Sequence, residues 1–135
     1  MFLLDTVVLS ELRKRERNAG LTQWIGGKND GELFVSVVTV GEIERGIRQQ
    51  RDKDNTFAQR LADWQAQLLL AYADRILPIT TPIARRWGLL SAELGRADAD
   101  VLIAATALEH GLTVVTRNER HFAPTGVSML NPWTS

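Results

Sequence analysis

The sequence predicts an α/β fold with a central, mainly parallel sheet of four to five strands and helices on both faces. Short β-branched and apolar runs alternate with longer stretches of helical periodicity, which is the pattern of βαβ units around a parallel sheet. No repeat, low-complexity tract or linker interrupts the 135 residues, so a single domain over 1–135 is expected. The balance of 44% hydrophobic and 24% charged residues is that of a globular chain.

The elements follow in order. Residues 2–4 read as a short apolar strand ending at Asp5. Residues 6–15 continue as a helix, and residues 21–26 form a second short helix closed by Gly26 and Gly27. A second strand covers 33–37. Thr39 is placed to cap a helix running through Glu42 to about Gln50. The polar stretch 52–56 is expected to turn. Phe57, Leu61, Trp64, Leu68 and Tyr72 step by four, three, four and four, one face of a long amphipathic helix. Residues 76–79 read as a third strand. Thr81 before Pro82 opens a helix that runs to about Leu94 and stops near Gly95. Residues 98–109 form a further helix, stopped by Gly111. Its stretch 101–108 is apolar almost all round, so deep burial is expected. A fourth strand covers 112–116, and 127–130 a fifth, before Pro132.

Composition excludes several classes. With no cysteine there is no disulfide framework and no cysteine metal site, which suits a cytoplasmic protein. The apolar start runs into Asp5 at once, unlike a signal peptide. The run 101–108 is too short to span a bilayer, so no membrane partner is expected. Sixteen basic and sixteen acidic residues leave a formal net charge of zero. That total argues mildly against a nucleic-acid binder, but an acidic pocket with a basic rim gives the same sum.

The positions of the acids carry the chemistry. Asp5 follows the first strand, Glu42 lies in the first turns of the helix after the second, Asp98 and Asp100 open the buried helix, and Asn118 follows the fourth strand. Successive strand ends gather on one edge of a parallel sheet, where ligands bind. Converging carboxylates repel one another unless a cation neutralises them. Oxygen ligands without cysteine or paired histidines suit magnesium or manganese, and the implied chemistry is metal-assisted phosphodiester hydrolysis. Each residue also has a structural reading. Asp5 and Asp98 sit where helix caps sit, and Glu42 follows Thr39 at capping-box spacing. Asp100 beside an apolar stretch is harder to explain without a partner or a metal.

Five blocks then resemble ribonuclease toxins of the PIN-domain family, of the VapC and FitB type. They are Leu3-Leu4-Asp5-Thr6, the stretch from Val38 to Gly46 around Glu42, the stretch from Asp100 to Ala107, the stretch from Thr113 to Asn118, and the ending Asn131-Pro132-Trp133. The resemblance implies a PIN-like fold and a magnesium-dependent endoribonuclease, the toxin of a type II toxin–antitoxin module, acting on RNA such as transfer RNA. Asp5 and Asp100 would be the main metal ligands, Glu42 would complete the set, and Asn118 stands where the family commonly has a fourth acid. Thr6 and Thr116 match supporting hydroxyl positions. The implied partners are a cognate antitoxin, an RNA substrate, a second copy of the chain, and promoter DNA reached only through the antitoxin. A non-cleaving chain that completes an antitoxin–DNA repressor complex is the alternative, kept open by Asn118.

Around the expected pocket, Arg45, Arg48 and Arg51 share a helix face, and Arg117 and Arg120 follow the fourth strand. Both groups are candidate phosphate contacts, with a solvated helix face as the competing reading of the first. The basic run Arg13, Lys14, Arg15 and Arg17 is the densest in the chain. Trp64 and Tyr72 are expected in the core, while Trp24 and Trp87 are candidates for a partner groove. His110 and His121 are single histidines without zinc-ligand spacing. A phosphatase-type Asp pair is excluded by Val7, a receiver acceptor by Ile79-Thr80, and a Walker loop by the absence of Gly-Lys-Ser/Thr.

Overall fold

The computed structural model of the protein describes residues 1–134; Ser135 lies outside the described residues. Five strands, β1 (Phe2–Leu4), β2 (Leu33–Ser36), β3 (Ile76–Leu77), β4 (Thr113–Val115) and β5 (Met129–Leu130), form one sheet in the order β3-β2-β1-β4-β5. All four pairings are parallel. Around it lie α1 (Thr6–Arg13), α2 (Ala19–Gly26), α3 (Val37–Arg51), α4 (Asn55–Ala71), α5 (Thr81–Leu94), α6 (Ala99–His110) and α7 (Glu119–Phe122).

Strand alternation divides the core between the two faces. Leu4 and Val115 pack with Val8, Leu9, Leu21, Val35 and Ile43 on one side. Their neighbours Leu3 and Val114 pack with Ile103, Ala104, Ala107 and Phe122 on the other, because successive side chains point to opposite faces. Leu3 and Leu4 are fully buried, and each burial stabilises by about 1.5–3 kcal/mol. Helix α6 is as deeply buried as its composition demands: Val101, Ile103, Ala104, Ala105 and Ala107 are all solvent-free. It ends at Gly111, whose φ of 66° only glycine adopts at no steric cost.

Several boundaries differ from the sequence expectation. Thr39 does not cap α3. Ser36 does, its hydroxyl accepting from the Val38 N–H at 3.0 Å, and Thr39 is buried two residues inside. The β-branched run at 37–40 thus enters a helix, tertiary packing overriding its strand preference. The stretch 52–56 does not stay a turn, since Asp54 caps α4 by accepting from the Phe57 N–H. Strand β3 is only two residues long; Pro78 has no N–H with which to extend a ladder. Helix α2 begins earlier than expected, because the Asn18 side chain accepts from the Leu21 N–H.

Arg75 locks the β2 edge. Its guanidinium donates to the carbonyls of Leu33 at 2.8 Å and Ala71 at 2.7 Å, reaches the Asp30 carbonyl as well, and lies over the Tyr72 ring. The sheet order places the switch point between β1 and β4: the chain leaves β1 towards β2, while β4 lies on the other side. Their carboxyl ends, at Asp5 and Thr116, therefore border the crevice where α/β sheets bind ligands.

Candidate functional site

Asp5 is almost completely buried at the end of β1. It occupies the N-cap position of α1 by backbone geometry, yet its side chain makes no cap hydrogen bond. The carboxylate accepts instead from the Thr116 hydroxyl, at 2.7 Å. The same Thr116 oxygen accepts from the Asn118 N–H at 2.9 Å, so one hydroxyl ties the ends of β1 and β4 together.

Glu42 lies in the second turn of α3. The Thr6 hydroxyl donates to its Oε1 at 2.6 Å and lies 3.0 Å from the Thr39 hydroxyl. The capping-box reading of Glu42 fails with that of Thr39: the carboxylate turns towards α1 and the cleft, not back to the helix start. Asp98 is the N-cap of α6, accepting from the N–H groups of Asp100 and Val101. Arg96 clamps it with two bonds of 2.8 and 3.1 Å, and that guanidinium holds the Asp98 carboxyl below its ordinary range.

Asp5, Glu42, Asp100 and Asn118 line one cleft of about 350 Å³, together with Thr6, Ser10, Glu11, Lys14 and Arg117. Burial is the main force on Asp5, and repulsion from Asp100 and Glu42 adds to it. The Thr116 bond opposes both, and the net result pushes the Asp5 carboxyl up from 3.8 to about 6. Among the described residues, no lysine or arginine forms an ion pair with Asp5, Glu42 or Asp100.

Sequence reasoning placed His121 near the pocket edge, able to touch RNA, and gave it no ligand role. Its Nδ1 touches the Asp100 carboxylate. Asp98, Asp100 and His121 offer ligand atoms that all lie within 4.8 Å of one another, the only such trio among the described residues. The available signal was spacing: His121 follows the cleft residue Asn118 by three, one turn of the short helix α7. Arg96 also donates to the His121 carbonyl at 2.6 Å, fixing α7 against the start of α6.

The rim is narrower than expected. Lys14 and Arg117 line the cleft, and Arg120 lines an adjoining one with Arg117 and His121. Arg45, Arg48 and Arg51 line neither; Arg48 pairs with Asp52 across one helical turn, the solvated-face reading. Glu119 does not replace the charge missing at Asn118, because it lies outside the cleft and accepts from Asn131 Nδ2 at 3.0 Å.

The tryptophans also differ from expectation. Trp24 stacks edge-on against Phe2 and packs on the core, and Trp87 is only half-buried on α5. Trp64 lines a groove with Phe57, Leu61, Ile43 and Arg13 that opens towards the cleft at Thr6, Ser10 and Glu42.

The family model for the PIN domain matches residues 2–126. The chain belongs to the PIN-domain family. It is 34% identical to the VapC ribonuclease Y4jK of Sinorhizobium fredii, over 98% of both chains. It is also 34% identical to the toxin FitB of Neisseria gonorrhoeae, over 98% of this chain and 99% of that one. The crystal structure of FitAcB from Neisseria gonorrhoeae superposes over the whole of both chains with a TM-score of 0.80 at 32% identity. Other solved neighbours include toxin–antitoxin complexes, some of them bound to DNA. The PIN fold expected from the sequence is the fold observed, with all five strands parallel. Among the described residues, no helix of this PIN domain is long and apolar enough to cross a membrane.

Proposed function

We propose that this PIN domain, acting as a single domain over 1–135, is a metal-dependent endoribonuclease and the toxin of a type II toxin–antitoxin pair in the cytoplasm. The observation that carries the reading is the buried Asp5 carboxylate, which shares a cleft with Glu42, Asp100 and Asn118 and forms no ion pair with a lysine or arginine. A buried acid pushed up to about 6 is an incomplete site until a cation balances it. The donors are hard oxygens, which fits magnesium, with manganese as substitute.

Asp5, Asp100 and Glu42 would hold the ion. When bound, it supplies a water acidic enough to attack a phosphodiester and a positive charge beside the developing oxyanion. Thr116 holds Asp5, and Thr6 holds Glu42, each by a hydroxyl hydrogen bond. Asn118 offers a neutral oxygen and two donors, which suit a water or a phosphate oxygen.

The names of the relatives, a VapC ribonuclease and the toxin FitB, support RNA as the substrate, and transfer RNA is the RNA proposed. Solved neighbours that are toxin–antitoxin complexes, one of them bound to a fragment of its promoter, support a cognate antitoxin as partner, with promoter DNA engaged through that antitoxin. The groove walled by Phe57, Leu61 and Trp64 opens on the cleft and suits an amphipathic antitoxin segment. A homodimer is part of the same proposal. A second reading rests on Asn118: with one acid fewer, the chain would mainly complete a repressor complex.

Cleavage of total transfer RNA by the antitoxin-free chain tests the proposal, with magnesium, manganese or chelator and beside Asp100→Asn. Metal-dependent cleavage lost in the variant is the expected result. A folded chain that cuts no RNA with either metal selects the repressor reading.

A further inference from the structure

The segment 131–134 returns from β5 and straps across the chain towards the mouth of the cleft. Asn131 donates to Glu119 in α7, and the Trp133 N–H donates back to Asn131 Oδ1 at 3.0 Å. Asn18 and Thr134 form a reciprocal pair: Asn18 Nδ2 donates to the Thr134 carbonyl at 3.0 Å, and the Thr134 N–H donates to Asn18 Oδ1 at 3.1 Å. The Pro132 carbonyl runs so close to Gly20 that a Cβ there would sit 2.4 Å from it. Hydrogen bonds at both ends and one close-packed glycine thus fix this short segment in place.

Between those anchors stands Trp133. It is half-buried against the core that holds Leu4 and Val115, and its ring faces the Arg117 guanidinium at 5.9 Å from the centroid. Arg117 lines the cleft beside Glu11, whose carboxylate attracts it without a direct contact. It forms no ion pair among the described residues and is exposed. Together with Asn118 it stands at the wall shared by the metal-binding cleft and an adjoining cleft of about 510 Å³ lined by Arg120 and His121. A strand of RNA crossing from one to the other passes this guanidinium.

We propose that Trp133 is a positioning residue that holds Arg117 against the phosphate being cleaved. The inference rests on the ribonuclease reading above. A long arginine on the surface samples many rotamers, and an aromatic face within about 6 Å narrows them while leaving all five N–H donors free. Preorganised positive charge matters most where negative charge grows, on the phosphoryl oxygens of the transition state. The effect therefore falls on kcat more than on RNA binding.

The test measures cleavage of total transfer RNA by wild-type chain, Arg117→Gln, Trp133→Ala, Trp133→Phe and the Arg117→Gln/Trp133→Ala double variant, each verified as folded by circular dichroism. Binding of a fluorescein-labelled transfer RNA is followed separately with calcium in place of magnesium. Arg117→Gln is expected to lower kcat by roughly 100-fold, the cost of one preorganised donor, while binding changes only a few-fold. Trp133→Ala loses about tenfold, Trp133→Phe recovers it because the ring face returns, and the double variant is no slower than Arg117→Gln alone. Additive losses, or a folded Trp133→Ala chain as fast as wild type, overturn the positioning role and leave the nuclease reading intact. A wild-type chain inert with both metals defeats the nuclease reading itself, and this one with it.

Discussion

Thr116 donates its hydroxyl to the buried carboxylate of Asp5 at 2.7 Å, across 111 residues of sequence. It is the larger of two hydrogen bonds, the other from the Thr6 backbone, that oppose burial and like-charge repulsion at Asp5. Replacing it with Val keeps the shape and removes the bond, so the Asp5 carboxyl rises further and competes less well for a cation. Manganese affinity is expected to fall about 10–100-fold in Thr116→Val. Calorimetric titration at two pH values checks it: the loss is larger at pH 6 than at pH 8, where Asp5 is ionised in either chain.

The raised carboxyl of Asp5 also governs stability. Its folded pKa of about 6 lies above the unfolded 3.8, so the folded chain binds this proton more tightly. The metal-free protein therefore gains stability as pH falls from above 6 towards 4. At pH 7 the ionised Asp5 costs up to about 3 kcal/mol, since each tenfold change in proton affinity corresponds to about 1.4 kcal/mol. Asp98 and Glu11 are held below their ordinary range, so their contributions are lost at lower pH, below the window from 5 to 7 in which Asp5 titrates. Asp5→Asn is expected to stabilise the metal-free chain by about 1–3 kcal/mol at pH 7.5 and flatten that window. Urea denaturation as a function of pH measures both.

Asn118 is the position where charge can be added. Asn118→Asp places a further carboxylate in the cleft that already holds Asp5, Glu42 and Asp100. Without metal, like-charge repulsion lowers the melting temperature; with manganese, the order reverses and affinity rises about tenfold or more. A thermal melt with and without manganese reads the sign change. Equal melting temperatures for the two chains under both conditions would separate position 118 from the metal altogether.

Arg75 carries a prediction about the fold alone. Its guanidinium joins carbonyls of Leu33 and Ala71 and stacks on Tyr72. Arg75→Ala is expected to cost about 2–3 kcal/mol, and Arg75→Lys to recover less than half of it, because an ammonium lacks the planar fork. Denaturant midpoints check this. Cleavage per folded molecule stays unchanged, since the residue lies at the β2–β3 edge, away from the cleft.

The sheet was readable because each of its strands is a short apolar run closed by a turn or a polar residue, as at Leu3, Leu4 and Asp5. The cleft was readable because acids at strand ends must converge in a parallel sheet. What stayed hidden depended on contacts between distant residues. Nothing local distinguishes Ser36 from Thr39 as a cap; the choice follows from where β2 stops pairing with β3. Trp64 obeys the apolar stripe of α4 and yet walls a groove, because α1 and α3 leave that side open. The contact of His121 with Asp100 joins two helices on either side of β4, beyond the reach of any local pattern.

The central strand β1 precedes the other four in chain order. β1 pairs with β2 on one side and β4 on the other, and the carboxylate at its end meets Thr116 only after nearly all of the chain has been synthesised. A chain that ends between β1 and residue 113 carries Asp5 without the strand that orders it. The cleft therefore closes only once β4 has joined β1.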